Sequence, residues 1–144
     1  MFNSILVVCT GNICRSPIAE RLLKIKLPNK VIESAGTGAL VEHPADDSAI
    51  AVSQKHNLSL DGHSGQKFTA KLAMKYDLIL VMDKGHIEKI SQIYPQARGK
   101  TMLLGYWLNE MEIPDPYRKS LEAFEYVYQL IDQACDSWVE KLNV

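Results

Sequence analysis

The run Ile5-Leu6-Val7-Val8 limits the possible folds more than any other stretch of this chain. It is wholly apolar and rich in β-branched residues. Such a run suits a strand covered on both faces, as in a parallel sheet. It stops at Cys9-Thr10-Gly11-Asn12, where glycine and asparagine allow tight or left-handed backbone. Ser16-Pro17 follows, a helix-start pair with serine as N-cap and proline in the first turn. Ile18, Ala19, Leu22 and Leu23 then repeat at helical spacing. Residues 5 to 26 therefore read as strand, tight loop, helix.

The same unit recurs. Lys30 to Ala35 reads as a second strand, ending at Gly36-Thr37-Gly38, and Pro44 to His56 as a helix. Leu78 to Met82 is a third strand, Lys84 to Ile93 a helix, and Thr101 to Leu104 a fourth strand. Residues 119 to 142 form a long helix with Leu121, Phe124, Tyr128, Ile131, Cys135, Trp138 and Leu142 on one stripe. The two prolines of Ile113-Pro114-Asp115-Pro116-Tyr117 exclude regular structure and predict an ordered loop. Alternating strands and helices give an α/β fold, a four-stranded parallel sheet flanked by helices on both faces. Ligands of such sheets bind at the carboxyl ends of the strands, where Cys9 to Arg15 lie. No linker, repeat or low-complexity stretch interrupts residues 1–144, which read as a single domain.

Composition removes several classes of protein. Sixteen Lys and Arg against seventeen Asp and Glu leave no basic excess for generic nucleic-acid binding. No stretch approaches the roughly twenty apolar residues of a membrane helix, and the apolar start is too short for a signal-peptide core. The odd count of three cysteines fits a reducing compartment, so a cytoplasmic protein is expected. The four histidines show no metal-ligand spacing, and neither a metal nor a cofactor is expected.

The chemistry is concentrated in Cys9-Thr10-Gly11-Asn12-Ile13-Cys14-Arg15-Ser16. Backbone N–H groups of a tight loop can converge into an anion nest, and the following helix adds its positive end. Arg15 offers a planar fork for two phosphate oxygens. The same field favours a thiolate, so Cys9 is expected to ionise readily, with the Ser16 hydroxyl donating to its sulfur. A sulfur nucleophile attacking phosphorus needs a group that protonates the leaving oxygen and later activates water. Asp115 is a candidate in its rigid loop; a plain turn that caps the last helix is the other reading of Pro-Asp-Pro.

These segments resemble the low-molecular-weight protein tyrosine phosphatases, and more closely their bacterial exopolysaccharide-associated branch. The likeness runs through VCTGNICRSPIAE, ESAGTGA, DGHS, YDLILVMD and IPDPYRKS and covers essentially the whole chain. It implies a single phosphatase domain acting through a cysteinyl-phosphate. Cys9 would be its nucleophile, Arg15 the phosphate binder and Asp115 the general acid, then base. It also implies that Asn12 and Ser16 hold loop and thiolate, with Ser34 and His63 bracing from behind. Leu40 and Tyr117 would be opposite pocket walls, and Ile13, where phosphoarginine-selective relatives carry threonine, favours phosphotyrosine. The implied partner is a phosphotyrosine protein, the tail of a membrane tyrosine autokinase controlling polysaccharide export. A monomer is the default.

Other residues carry bland alternatives. In relatives Cys14 can trap oxidised Cys9 as a disulfide; it can equally be a small side chain packed under the loop. Cys135 lies on an apolar stripe and reads as core; Asp83, at the end of the third strand, reads as a brace of the acid loop or, better, as the cap of the next helix. Lys67, Lys71 and Lys75, at helical spacing, read as a solvated face. Two rival functions use the same bowl. Arsenate reduction needs a cysteine relay, yet no cysteine lies between Cys14 and Cys135. A non-catalytic phosphotyrosine-binding module would have no use for an intact nucleophile and acid.

Overall fold

A computed structural model describes residues 2–143. Four parallel strands, β1 (Ser4–Cys9), β2 (Val31–Gly36), β3 (Leu78–Val81) and β4 (Thr101–Leu103), lie in the order β2-β1-β3-β4. β1 is central, which is why its residues from Ile5 to Cys9 are all buried. The reversal of strand order beside β1 opens a crevice at its carboxyl end, the usual ligand position in such sheets. The four-stranded α/β fold expected from the sequence is the one found.

Side chains alternate across β1. Ile5, Val7 and Cys9 face the larger core, built with α1 (Arg15–Lys26), α2 (Asp47–Lys55) and α5 (Leu121–Leu142). Leu6 and Val8 face the smaller core with Phe68, Ile79, Ile90 and Leu103, where α3 (Ala70–Ala73) and α4 (Lys84–Ile93) pack. The nucleophile candidate thus sits on the face covered by α1, the helix its own loop enters. Leu23 of α1 is fully enclosed there; truncating such a residue to alanine costs about 2–5 kcal/mol.

Four local expectations need correction. Ser16 does not cap α1. The helix starts at Arg15 with Cys14 at the N-cap position and no side-chain cap bond, because the Ser16 hydroxyl is engaged by Cys9 and Asn12. The second helix is shorter than Pro44 to His56, since the Asp46 carboxylate accepts the Ser48 N–H and starts the helix there. Leu121 is exposed at the first position of α5, although the rest of the stripe from Phe124 to Trp138 is buried. Lys67, Lys71 and Lys75 are solvated but share no helix, because Lys67 bridges to Gly36 and only residues 70–73 are helical. Among the described residues no helix is long and apolar enough to cross a membrane.

Candidate active site

The loop from Cys9 to Ser16 closes tightly because two positions permit it. Asn12 takes a left-handed backbone, φ 59°, a conformation asparagine tolerates better than most residues. Gly36, at the end of β2, lets the strand touch the loop. A Cβ there would lie 2.3 Å from the Thr10 carbonyl oxygen and 3.0 Å from the Asn12 nitrogen. Beyond it, Thr37 and Gly38 donate their N–H groups to the carbonyls of Cys9 and Thr10, each at 3.0 Å.

Hydrogen-bond polarity through the loop can be worked out from its edges. The Gln66 N–H donates to Asn12 Oδ1 at 2.9 Å, which fixes the orientation of that amide. Asn12 Nδ2 must then donate, and it reaches Ser16 Oγ at 2.8 Å and Ser34 Oγ at 2.9 Å. Ser16 therefore has its single proton free for Cys9 Sγ, 2.9 Å away. The sulfur is the acceptor, the role a thiolate fills. Behind this line, Ser34 donates to Glu20 Oε1 at 2.5 Å, and His63 Nε2–H donates to the Asn12 carbonyl at 2.5 Å. Asn12, Ser16, Ser34 and Glu20 are all buried, so each of these bonds forms away from competing water.

Arg15 is buried behind the loop. Its Nη1 donates to the Ile113 carbonyl at 2.7 Å and to Asp83 Oδ2 at 3.4 Å. Those two bonds use both Nη1 protons, which leaves the Nε–Nη2 edge for an oxyanion. Asp115 Oδ2 lies 3.9 Å from Nη2, across the mouth of the site. The Tyr117 N–H donates to Asp115 Oδ1 at 3.1 Å and forms a turn that aims the carboxylate. Ser120, not Asp115, caps α5.

A pocket of about 220 Å³ opens over the loop, with Cys9 and Arg15 at its base. Ile13, Leu40, Asp115 and Tyr117 also line it. Leu40 and Tyr117 are part-exposed, and the Arg118 guanidinium lies 5.2 Å from the Tyr117 ring centre. Burial, followed by the Asp46, Cys9 and Asp115 charges, pushes the Cys14 thiol far above its ordinary range, so it stays protonated. Cys135 is enclosed between α5 and α1, its thiol also raised by burial. That position keeps it out of any cysteine relay at the pocket.

Four contributors were missed from the sequence: Glu20, Gln66, His86 and the contact of Asp83 with Arg15. Glu20 carried a usable signal, because it falls one helical turn after Ser16 on the same face of α1. Asp83 does cap α4 as expected, accepting from the His86 N–H at 3.1 Å, but its second oxygen serves Arg15. Gln66 and His86 come from distant chain segments and had no local signature.

A cysteine-bearing loop between strand and helix, with an arginine behind it and an aspartate over it, is the arrangement of a phosphate-handling α/β enzyme. Residues 4–144 match the family model of low molecular weight phosphotyrosine protein phosphatases, and the chain belongs to that family. It is a protein-tyrosine-phosphatase of the kind represented by Wzb and Etp. A putative low molecular weight protein-tyrosine-phosphatase of Klebsiella pneumoniae is 62% identical over 143 residues, 99% of each chain. Etp of Escherichia coli strain K12 is 56% identical, covering 99% of this chain and 96% of that one. The crystal structure of Wzb from Escherichia coli K30 with sulphate superposes with a TM-score of 0.97 at 65% identity, over 99% of both chains.

Proposed function

We propose that Cys9 is the nucleophile, Arg15 the phosphate binder, and Asp115 the acid and then the base of this phosphatase. The Cys9 thiolate attacks phosphorus and the bond to the phenolic oxygen breaks. Asp115 gives that oxygen its proton. Water then attacks the cysteinyl-phosphate while the Asp115 carboxylate takes a proton from it, and the sulfur leaves as thiolate. The Nε–Nη2 edge of Arg15 and the loop amides hold the non-bridging oxygens as their charge grows. The observation that carries this reading is the Ser16-to-Cys9 hydrogen bond, whose direction is forced by Asn12. The sulphate held by the Escherichia coli K30 relative, a tetrahedral dianion, supports a phosphate site in this fold.

The pocket walls support phosphotyrosine as substrate. Leu40 and the Tyr117 ring flank the approach, where a phenyl group can pack. The longer tyrosyl side chain brings its phosphate to the base, which a phosphoserine cannot reach. Ile13 in the loop supports tyrosine over arginine phosphate, following the family pattern. The partner in this reading is the phosphotyrosine tail of a membrane tyrosine autokinase in exopolysaccharide or capsule regulation. It meets a cytoplasmic, monomeric, single-domain phosphatase. Cys14, buried and held as a thiol, lines the same pocket as Cys9 and takes no step in this reading.

The test is hydrolysis of one peptide carrying phosphotyrosine, phosphoserine or phosphoarginine, alongside the Cys9→Ser variant. Preference for phosphotyrosine and loss of turnover in the variant are expected. Full turnover in Cys9→Ser would overturn the role assignment, and a preference for either other peptide would overturn the substrate.

A further inference from the structure

His86, in the first turn of α4, is 5% exposed and has two different edges engaged. The Asp83 backbone N–H donates to Nδ1 at 3.3 Å. A backbone N–H can only donate, so Nδ1 is the acceptor and the ring proton sits on Nε2. Nε2–H in turn donates to Thr10 Oγ1 at 3.0 Å. A helix usually closes this kind of cap with Glu or Gln at the third position. Here the residue is an imidazole, which accepts at one edge and donates at the other.

Thr10 is the first residue after Cys9. Its carbonyl is held from the β2 side by the Gly38 N–H. Its side chain is held from the opposite side by His86. The ring therefore couples the β3–α4 turn, which also supplies Asp83 to Arg15, to the start of the phosphate loop. The charged groups facing the ring are Asp83 on its own turn, Arg15 from α1 and Asp115 from the acid loop. Burial holds the ring neutral, with Arg15 acting in the same direction and the two carboxylates opposing.

We propose that His86 is a positioning residue of the phosphatase reaction, fixing the first residue of the phosphate loop through its Nε2–H bond to Thr10 Oγ1. It acts through Thr10 and does not touch the substrate. The inference rests on the phosphatase reading above, and it predicts that loss of the bond weakens phosphate binding and turnover together.

Substitution can separate the two edges. His86→Asn keeps an acceptor for the Asp83 N–H but does not reach Thr10. His86→Gln places an amide donor near the Nε2 position. Thr10→Val removes the acceptor at an exposed site, where folding is not at risk. Above neutral pH, kcat and KM for p-nitrophenyl phosphate and the affinity for inorganic phosphate by calorimetry are measured for each variant. His86→Asn and Thr10→Val should each lose about fivefold in kcat/KM and in phosphate affinity, the size of one neutral hydrogen bond. The double variant should be no worse than either single. His86→Gln should recover to within about twofold of the wild type. Additive losses in the double variant, wild-type behaviour of His86→Asn, or no recovery in His86→Gln would overturn the proposal. A wild-type protein without turnover would instead count against the phosphatase reading, and the phosphate affinities would still judge His86.

Discussion

Arg15 Nη1 donates to the carbonyl oxygen of Ile113 at 2.7 Å, two residues before Asp115. The proposed phosphate binder thus also anchors the loop that carries the proposed acid, although 98 positions separate the two partners. Asp83 joins the same nitrogen from the β3–α4 turn. Three segments converge on one guanidinium, so in the proposed mechanism phosphate binding and acid placement are coupled through Arg15.

Arg15→Lys keeps the charge but has no planar fork to serve both the phosphate and Ile113. It should lose roughly 10²–10³ in kcat/KM. Amide hydrogen exchange around Ile113 should quicken in the same variant. Faster exchange without kinetic loss, or the reverse, would separate the two duties and contradict their coupling.

Asp115→Ala should depend on the leaving group. With a phosphotyrosine peptide the expected loss is about 10²–10⁴, the usual worth of general acid catalysis. With an activated aryl phosphate, whose phenolate leaves without a proton, the loss should be far smaller. Steady-state kinetics on both substrates checks this, and equal losses would rule out the acid role.

Gly36→Ala forces a Cβ to within 2.3 Å of the Thr10 carbonyl, a backbone atom that cannot rotate away. The loop or the strand end must shift, at a cost of about 1–3 kcal/mol, and activity should fall with it. Gly99 is the control. A Cβ there meets nothing within 4 Å, and Gly99→Ala should change stability by less than about 0.5 kcal/mol. Denaturant unfolding of both variants decides; equal effects would mean the close approach carries no weight.

The His86 ring is held below its ordinary value, chiefly by burial. As pH falls through the unfolded value of about 6.5, the unfolded chain takes up this proton before the folded one. This contribution to stability is therefore full above that value and is lost as pH drops through the lower folded value. Urea unfolding at about pH 7.5 and about pH 5 should show a larger loss for wild type than for His86→Gln. An identical loss in the two proteins would assign the acid sensitivity elsewhere.

All three cysteines are buried, but Cys14 and Cys135 are held as thiols, the unreactive form, whereas the Cys9 sulfur accepts from Ser16. Iodoacetate near neutral pH should therefore modify Cys9 first and spare the other two until the protein unfolds. Peptide mapping after timed alkylation reads this directly. Early modification of Cys14 would show a more reactive thiol than its surroundings allow.

The strand–loop–helix unit around Cys9 was legible because a fully apolar run has few alternatives once a tight loop and a proline-started helix follow it. Candidate residues with chemistry of their own, Cys9, Arg15 and Asp115, could be named from residue type and local context. The Ser16 bond to the Cys9 sulfur was legible too, but not what forces its direction: Asn12 must donate to Ser16 because Gln66 fixes the Asn12 amide from a distant segment. Gln66 and His86 depend on contacts across 54 and 76 positions, and no periodicity encodes such pairings. The role of Gly36 was equally hidden, since its need comes from Thr10 on the neighbouring segment and not from its own φ.

The most direct test of the account is to quench the wild-type protein in acid during turnover of an aryl phosphate and map the phosphoryl group by peptide mass. One phosphorylated residue, Cys9, is expected, and no phosphoprotein in Cys9→Ser. A phosphoryl group on any other residue, or turnover surviving in Cys9→Ser, would contradict it.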